Sequence, residues 1–191
     1  MKMLHIATVC VVLAGCQAGP PVQRSAADDP SAICFAGMDK HSALAALRPR
    51  IGSAANAQTA TPDLLTSTAI PNAEEKQAIQ SWAGLRRECV NAGAEFRLKN
   101  APPAYADLVE EENARFTVLL SQLYAGQAGY GRFLTERIAL DTEMKSRLNN
   151  ARGEHERANA PIRQEEAARR RAELTSALAV LQLAPAPPGK N

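Results

Sequence analysis

Aromatic residues are scarce in this sequence: one Trp, three Tyr and four Phe make up 4% of 191 residues. Beyond residue 16, valine and isoleucine are thin as well, while alanine is abundant. Sheets draw on aromatic and β-branched side chains, and alanine is the strongest helix former. A sheet-rich fold is therefore disfavoured, and helices packed through small residues are favoured. Charge of one sign is also lacking. The 22 Lys and Arg against 20 Asp and Glu leave a formal charge of +2, which argues against nucleic acid as a partner. No apolar run beyond residue 16 approaches the ~20 residues of a membrane-spanning helix. Only His41 and His155 remain outside the first sixteen residues, and they sit in unrelated contexts. No His-x-x-x-His or Glu-x-x-His spacing occurs, so neither a metal nor a cofactor is expected. No Gly-x-Ser-x-Gly and no cysteine–histidine signature nominates a catalytic set, and the expectation is a non-enzymatic protein. Gly126, Gly129 and Gly131 are not followed by Gly-Lys-Ser/Thr, which excludes a phosphate loop.

What is present begins at the first residue. Lys2 precedes the apolar run from Ile6 to Val12, and Leu13, Ala14, Gly15 and Cys16 follow directly. A cationic start, a short apolar core and small residues before a cut form a secretory signal, too short to span a bilayer. The last four residues resemble the lipobox of bacterial lipoproteins, Leu-Ala/Ser-Gly/Ala-Cys. That resemblance implies lipidation of Cys16 after removal of residues 1–15, leaving the membrane held through lipid on Cys16. An ordinary signal cut near Gly15 or Ala18 is the alternative. In lipoproteins of Gram-negative bacteria an Asp after the cysteine directs retention in the inner membrane. By that analogy Gln17 implies an outer-membrane protein facing the periplasm.

Four cysteines reduce to two once these roles are assigned, because Cys10 leaves with the signal and Cys16 carries lipid. In an oxidising compartment, Cys34 and Cys89 are most simply a disulfide, worth about 4 kcal/mol in the chain-entropy account. Two buried free thiols are the alternative. A redox pair is disfavoured by the absence of Cys-x-x-Cys.

Residues 16–30 hold Gly19, Pro20, Pro21, Asp28, Asp29 and Pro30 without apolar periodicity, and read as a flexible tether. A first helix is expected over 38–47, with Asp39 as a possible N-cap, followed by a loop over 53–61. The clearest helix starts after Asn72, where Glu75 completes a capping box. Its stripe of Ile79, Trp82, Leu85, Cys89, Val90 and Phe96 predicts one helix to Leu98, with Arg86, Arg87, Glu88 and Glu95 mostly off the face. Trp82 reads as core filler, with sugar stacking as the sharper alternative. Pro102 and Pro103 break the chain. A helix over 104–125 then carries Tyr105, Leu108, Val109, Phe116, Leu119, Leu120, Leu123 and Tyr124. The Glu110, Glu111 and Glu112 cluster reads as a solvated face or, alternatively, as a surface for a basic partner. The glycine turn leads into a third helix from Tyr130 through Leu148. Residues 61–148 are similar to small helical periplasmic proteins of proteobacteria that are themselves uncharacterised, and the likeness implies no activity.

From 149 to 173 arginine and glutamate dominate, and Ile162 is the lone large apolar residue. This reads as a solvent-bathed helix that either extends the third or restarts near Pro161. Flanking acids make Arg169, Arg170 and Arg171 a solvated run. Leu174, Leu178 and Leu181 form a ridge that needs a partner, a candidate contact surface. The tail 184–191 is Pro-rich and extended. The expected architecture is all-α: a bundle of three or four helices over 31–148, and a long charged helix over 149–183. The expected role is an envelope component acting through a protein partner, with a periplasmic inhibitor or peptidoglycan-associated protein as the alternative.

Overall fold

The computed structural model describes residues 28–182, with side chains to 179. Cys16, Gln17 and the tail 184–191 lie outside the described residues. Those described are helical throughout, without a strand. The order is α1 (Pro30–Gly37), α2 (Arg48–Ile51), α3 (Pro62–Leu65), α4 (Ala73–Ala92), α5 (Ala94–Asn100), α6 (Pro103–Tyr124) and α7 (Tyr130–Gln182), with short 3-10 turns between the first three. The all-α bundle with a long C-terminal helix is thus the fold.

Local chemistry sets the element boundaries. Asn72 Oδ1 accepts from the Glu75 N–H, and Glu75 Oε2 accepts from the Asn72 N–H, both at 2.9 Å, closing the capping box of α4. Arg50 Nε donates to Glu75 Oε1 at 2.8 Å, so the same carboxylate also holds α2 against α4. Asp29 caps α1 by accepting from Ser31 N and Oγ, with Pro30 in the first turn. Asp29 and Pro30 therefore belong to the folded unit rather than to the tether.

Three expectations for this region are corrected. Residues 38–47 form two 3-10 turns, Met38–Lys40 and Ser42–Leu47, rather than one α-helix. Asp39 does not cap them: its carboxylate accepts from Ala54 N, Ala55 N and Ser53 Oγ, fastening the following loop. The helix from Asn72 stops at Ala92, where the Gly93 N–H turns to the Val90 carbonyl; Asp29, Ser31 and Arg97 crowd the place where a side chain at 93 would stand. Beyond it Arg97, not Leu98, is buried; its Nη2 reaches the Val90 carbonyl, and Leu98 is left exposed. Of the two alternatives for the charged C-terminal stretch, the extension of the third helix is the one present: α7 runs through Pro161 without interruption.

The core is an aromatic trio on three helices. Trp82 of α4 meets Phe116 of α6 edge-on at 5.1 Å, and Phe133 of α7 at 5.8 Å. Leu44, Leu47, Ile51, Leu120, Leu123 and Leu134 pack around it. The α6 and α7 helices run antiparallel, since Arg115 meets Glu143 and Glu111 meets Arg147 one turn further along. The start of α7 is seated on the 65–69 segment: Tyr130 N–H donates to Ala69 O, and Gly131 N–H to Ser67 O at 2.8 Å. Gly131 is required here by the close approach of the Leu65 and Ser67 carbonyls. A disulfide joins Cys34 and Cys89, with Cα atoms 5.3 Å apart, and pins α1 across α4.

Candidate binding groove

A groove of about 970 Å³ opens between α1, α5 and the start of α6 on one side and the middle of α7 on the other. Phe35, Phe96, Tyr105 and Val109 supply its apolar walls. Arg86, Glu112, Arg137 and Asp141 form its base. The disulfide holds the α1 wall in place, and Arg97 ties α5 back to α4 through Val90 O.

The four charges at the base follow from the helix periods. Arg86 stands one turn after Trp82, Arg137 one turn after Phe133, and Glu112 one turn before Phe116. Each charged residue thus shares a helix face with an aromatic of the core. Arg86 lies over the Phe116 ring, 4.2 Å from its centroid, and its Nη2 donates to Glu112 Oε1 at 2.6 Å. Stacking on the aromatic face and charge pairing together make its burial tolerable. Arg137 is 2% exposed and lies over Trp82 at 5.0 Å. It donates from Nη1 and Nη2 to the carbonyls of Ser53 and Ala54 at 2.9 and 2.7 Å. Arg137 therefore clamps the loop that Asp39 also fastens. The Nε atoms of both arginines are buried without an acceptor.

Burial perturbs this base. It pushes the Arg137 guanidinium down to about 10, against the opposing pull of Asp141 and with the nearby Arg86 adding to the fall. Burial likewise holds the Asp141 carboxyl above its ordinary range; Arg137 opposes this and Glu112 adds to it. Across the core, the Tyr130 hydroxyl sits beside Glu75 without a well-formed hydrogen bond, and burial raises its pKa.

The residues singled out from sequence fall in different places. Cys34 and Cys89 are together beside the groove. Trp82 is fully buried, so its ring offers no stacking surface. The glutamate cluster is divided. Glu110 is exposed, Glu111 pairs with Arg147 and Arg115, and Glu112 turns into the groove toward Arg86. Arg86, placed off the apolar face by its charge, is in fact buried. Leu174 and Leu178 lie on the distal part of α7, 66% and 60% exposed, away from the groove. Leu181 is in the same helix, but its side chain lies outside the described residues. Arg137 and Asp141 carry one signal in the sequence, their spacing of four and eight residues from Phe133.

Among the described residues, no group of three or more His, Cys, Asp and Glu is arranged to hold a metal. None of the helices described is long and apolar enough to cross a membrane. The disulfide fits an oxidising space outside the cytoplasm. Fold and groove together define an all-helical, disulfide-pinned bundle. Comparisons with known protein families, curated proteins and solved structures give no match for this chain.

Proposed function

We propose that this protein is a lipid-anchored component of a bacterial cell envelope that acts through contacts with other proteins and catalyses no reaction. The observation that carries the reading is the distal part of α7. No side chain from 145 to 179 is buried, yet this stretch presents Leu174 and Leu178 on a helix that has left the bundle. Leucines at four-residue spacing on a solvated helix are a contact surface in search of a partner helix or groove. The Leu13-Ala14-Gly15-Cys16 motif supports attachment by lipid at Cys16, and Gln17 supports the outer membrane, facing the periplasm. The inhibitor or peptidoglycan-associated alternative would have to use a surface other than Trp82, which is buried, and Glu111 and Glu112, which are paired.

Two experiments test this reading. Cys16→Ser should remove radiolabelled palmitate from the protein and release it from the membrane fraction; continued membrane association would contradict the anchor. A photo-crosslinker at position 171, in intact envelopes, should yield a protein adduct that disappears in Leu174→Glu/Leu178→Glu. Adducts unchanged in that double variant would remove the ridge as the contact surface.

A further inference from the structure

The groove holds an acceptor that no neighbouring donor reaches. Asp141 stands one turn beyond Arg137 on α7 and lines the groove base. Arg137 commits Nη1 and Nη2 to the Ser53 and Ala54 carbonyls, which leaves its Nε 3.8 Å from Asp141, beyond hydrogen-bond distance. Arg86 commits Nη2 to Glu112. The exposed charge at the base is consequently negative. Side-chain exposure is 27% for Asp141 and 22% for Glu112, against 2% for Arg137 and 10% for Arg86. An incoming group meets the two carboxylates first, with both guanidiniums behind them. Above the base, Phe96 and the parts of Phe35 and Tyr105 that Arg86 and Arg152 do not cover offer apolar surface suited to the stem of a long cationic side chain. The arginines nearer the rim are engaged: Arg152 lies over the Tyr105 ring at 5.8 Å, and Arg163 donates to the Glu156 carbonyl.

We propose that this groove receives an extended polypeptide segment of a partner protein, with a lysine or arginine of that segment inserted to Asp141 and its apolar neighbours against Phe35, Phe96 and Tyr105. The complementarity is specific in sign. An acidic segment would place a third carboxylate beside Asp141 and Glu112, and a purely apolar one would cover Asp141 without supplying a donor. A bound cation also favours the Asp141 carboxylate, opposing the upward pull of burial as Arg137 does. The inference rests on the reading that the protein works by protein contacts, but it uses a surface separate from Leu174 and Leu178.

The test uses the purified full chain with its disulfide intact and a positional-scanning library of acetylated, amidated hexapeptides, read by fluorescence anisotropy. Selection of Lys or Arg at one position, flanked by apolar residues, is the expected result. Asp141→Asn should weaken the selected peptide at least about tenfold, since an inserted charge then lacks its partner. Asp141 also faces Arg137, so a second variant guards against misfolding. Ala32→Trp places a bulky ring at an exposed position on the α1 wall and should block binding in a protein of unchanged thermal midpoint. Leu174→Glu/Leu178→Glu should leave peptide affinity unchanged, which separates this site from the α7 ridge. Selection of acidic peptides overturns the proposal, as does a basic peptide that survives both groove variants, or no binding at millimolar peptide.

Discussion

One helix, α7, contains two regions that differ in almost every physical respect. From Tyr130 to Met144 it buries Tyr130, Phe133, Leu134, Arg137, Leu140 and Met144 at three- and four-residue intervals. From 145 to 179 it buries nothing. The first region is seated at its start by hydrogen bonds to Ser67 and Ala69 and is clamped to the 53–54 loop through Arg137. Beyond the contacts of Arg147 with Glu111 and Arg152 with Tyr105, the second is maintained largely by its own residues. Glu165 pairs with Arg169 and Glu166 with Arg170 at i,i+4, in the favourable Glu-first orientation, and alanine fills much of the remainder. Such pairs contribute only about 0.2–0.5 kcal/mol each. Gly153 and Pro161 work against them by about 1 and 3 kcal/mol relative to alanine. Helical continuity therefore does not imply a single unit of stability. The proximal region is part of the fold, and the distal region is an arm that the fold carries.

The largest effect that separates the two regions comes from the aromatic trio. Phe116→Ala removes a fully buried ring that touches Trp82, Phe133 and the Arg86 guanidinium, and should cost about 3–5 kcal/mol in urea denaturation. Leu174→Ala and Leu178→Ala, of similar hydrophobic character but exposed, should each stay within about 0.5 kcal/mol. An equal loss at both places would dissolve the distinction.

Next in size is the disulfide. Because it fastens α1 to α4, its reduction or Cys34→Ser/Cys89→Ser should cost about 2–5 kcal/mol of bundle stability. Amide protection in the arm should be unchanged in that variant while the bundle's melting midpoint falls, as followed by hydrogen exchange and circular dichroism.

Asp39 comes next. Burial tends to raise its carboxyl, but hydrogen bonds from Ser53, Ala55 and Ala54 outweigh that and hold it below the ordinary value of 3.8. The folded pKa lies under the unfolded one. The stabilisation is therefore fully present above the unfolded pKa and is lost as pH falls through the folded one, in the acid window below about 4. Asp39→Ala should cost about 1–3 kcal/mol near neutrality by stranding the buried Ala54 N–H, while the Ala55 N–H keeps Ser53 Oγ. It should also flatten the acid limb of the stability profile. A variant with an unchanged acid limb would show that other carboxylates, Glu75 among them, set it.

The smallest effect sharpens the comparison from the arm side. Pro161→Ala restores a helical N–H inside α7 and should raise amide protection around residues 157–165 while leaving the urea midpoint unchanged. A rise in the midpoint would mean that the arm contributes to global stability.

What could be read from sequence was what depends on neighbours along the chain. The Asn72/Glu75 box is one turn long, the Trp82 stripe is a helical period, and the solvated character of 149–173 follows from composition. An oxidising compartment implies a bond between Cys34 and Cys89, and the bond is present. What escaped depended on contacts between distant segments. Asp39 looked like a helix cap, but its carboxylate is used by the 53–55 loop. Gly93 falls inside the helix expected to reach Leu98, and only the fold brings Asp29 and Ser31 to where its side chain would stand. Arg86 reads as a surface residue, because charge normally marks a solvated face, and nothing local singles out Arg137. Only when three helices converge do Phe116 and Trp82 become platforms for their guanidiniums. The groove is of the same kind, since no single element contains it.

Residue-resolved hydrogen exchange along α7 of the intact protein tests the division most directly. Amides from 134 to 144 should exchange only through global unfolding, and protection should fall by orders of magnitude beyond about residue 155, where the helix has passed the start of α6. Uniform protection from 134 to 179 in the isolated protein would contradict the account, because it would make the arm part of the folded unit.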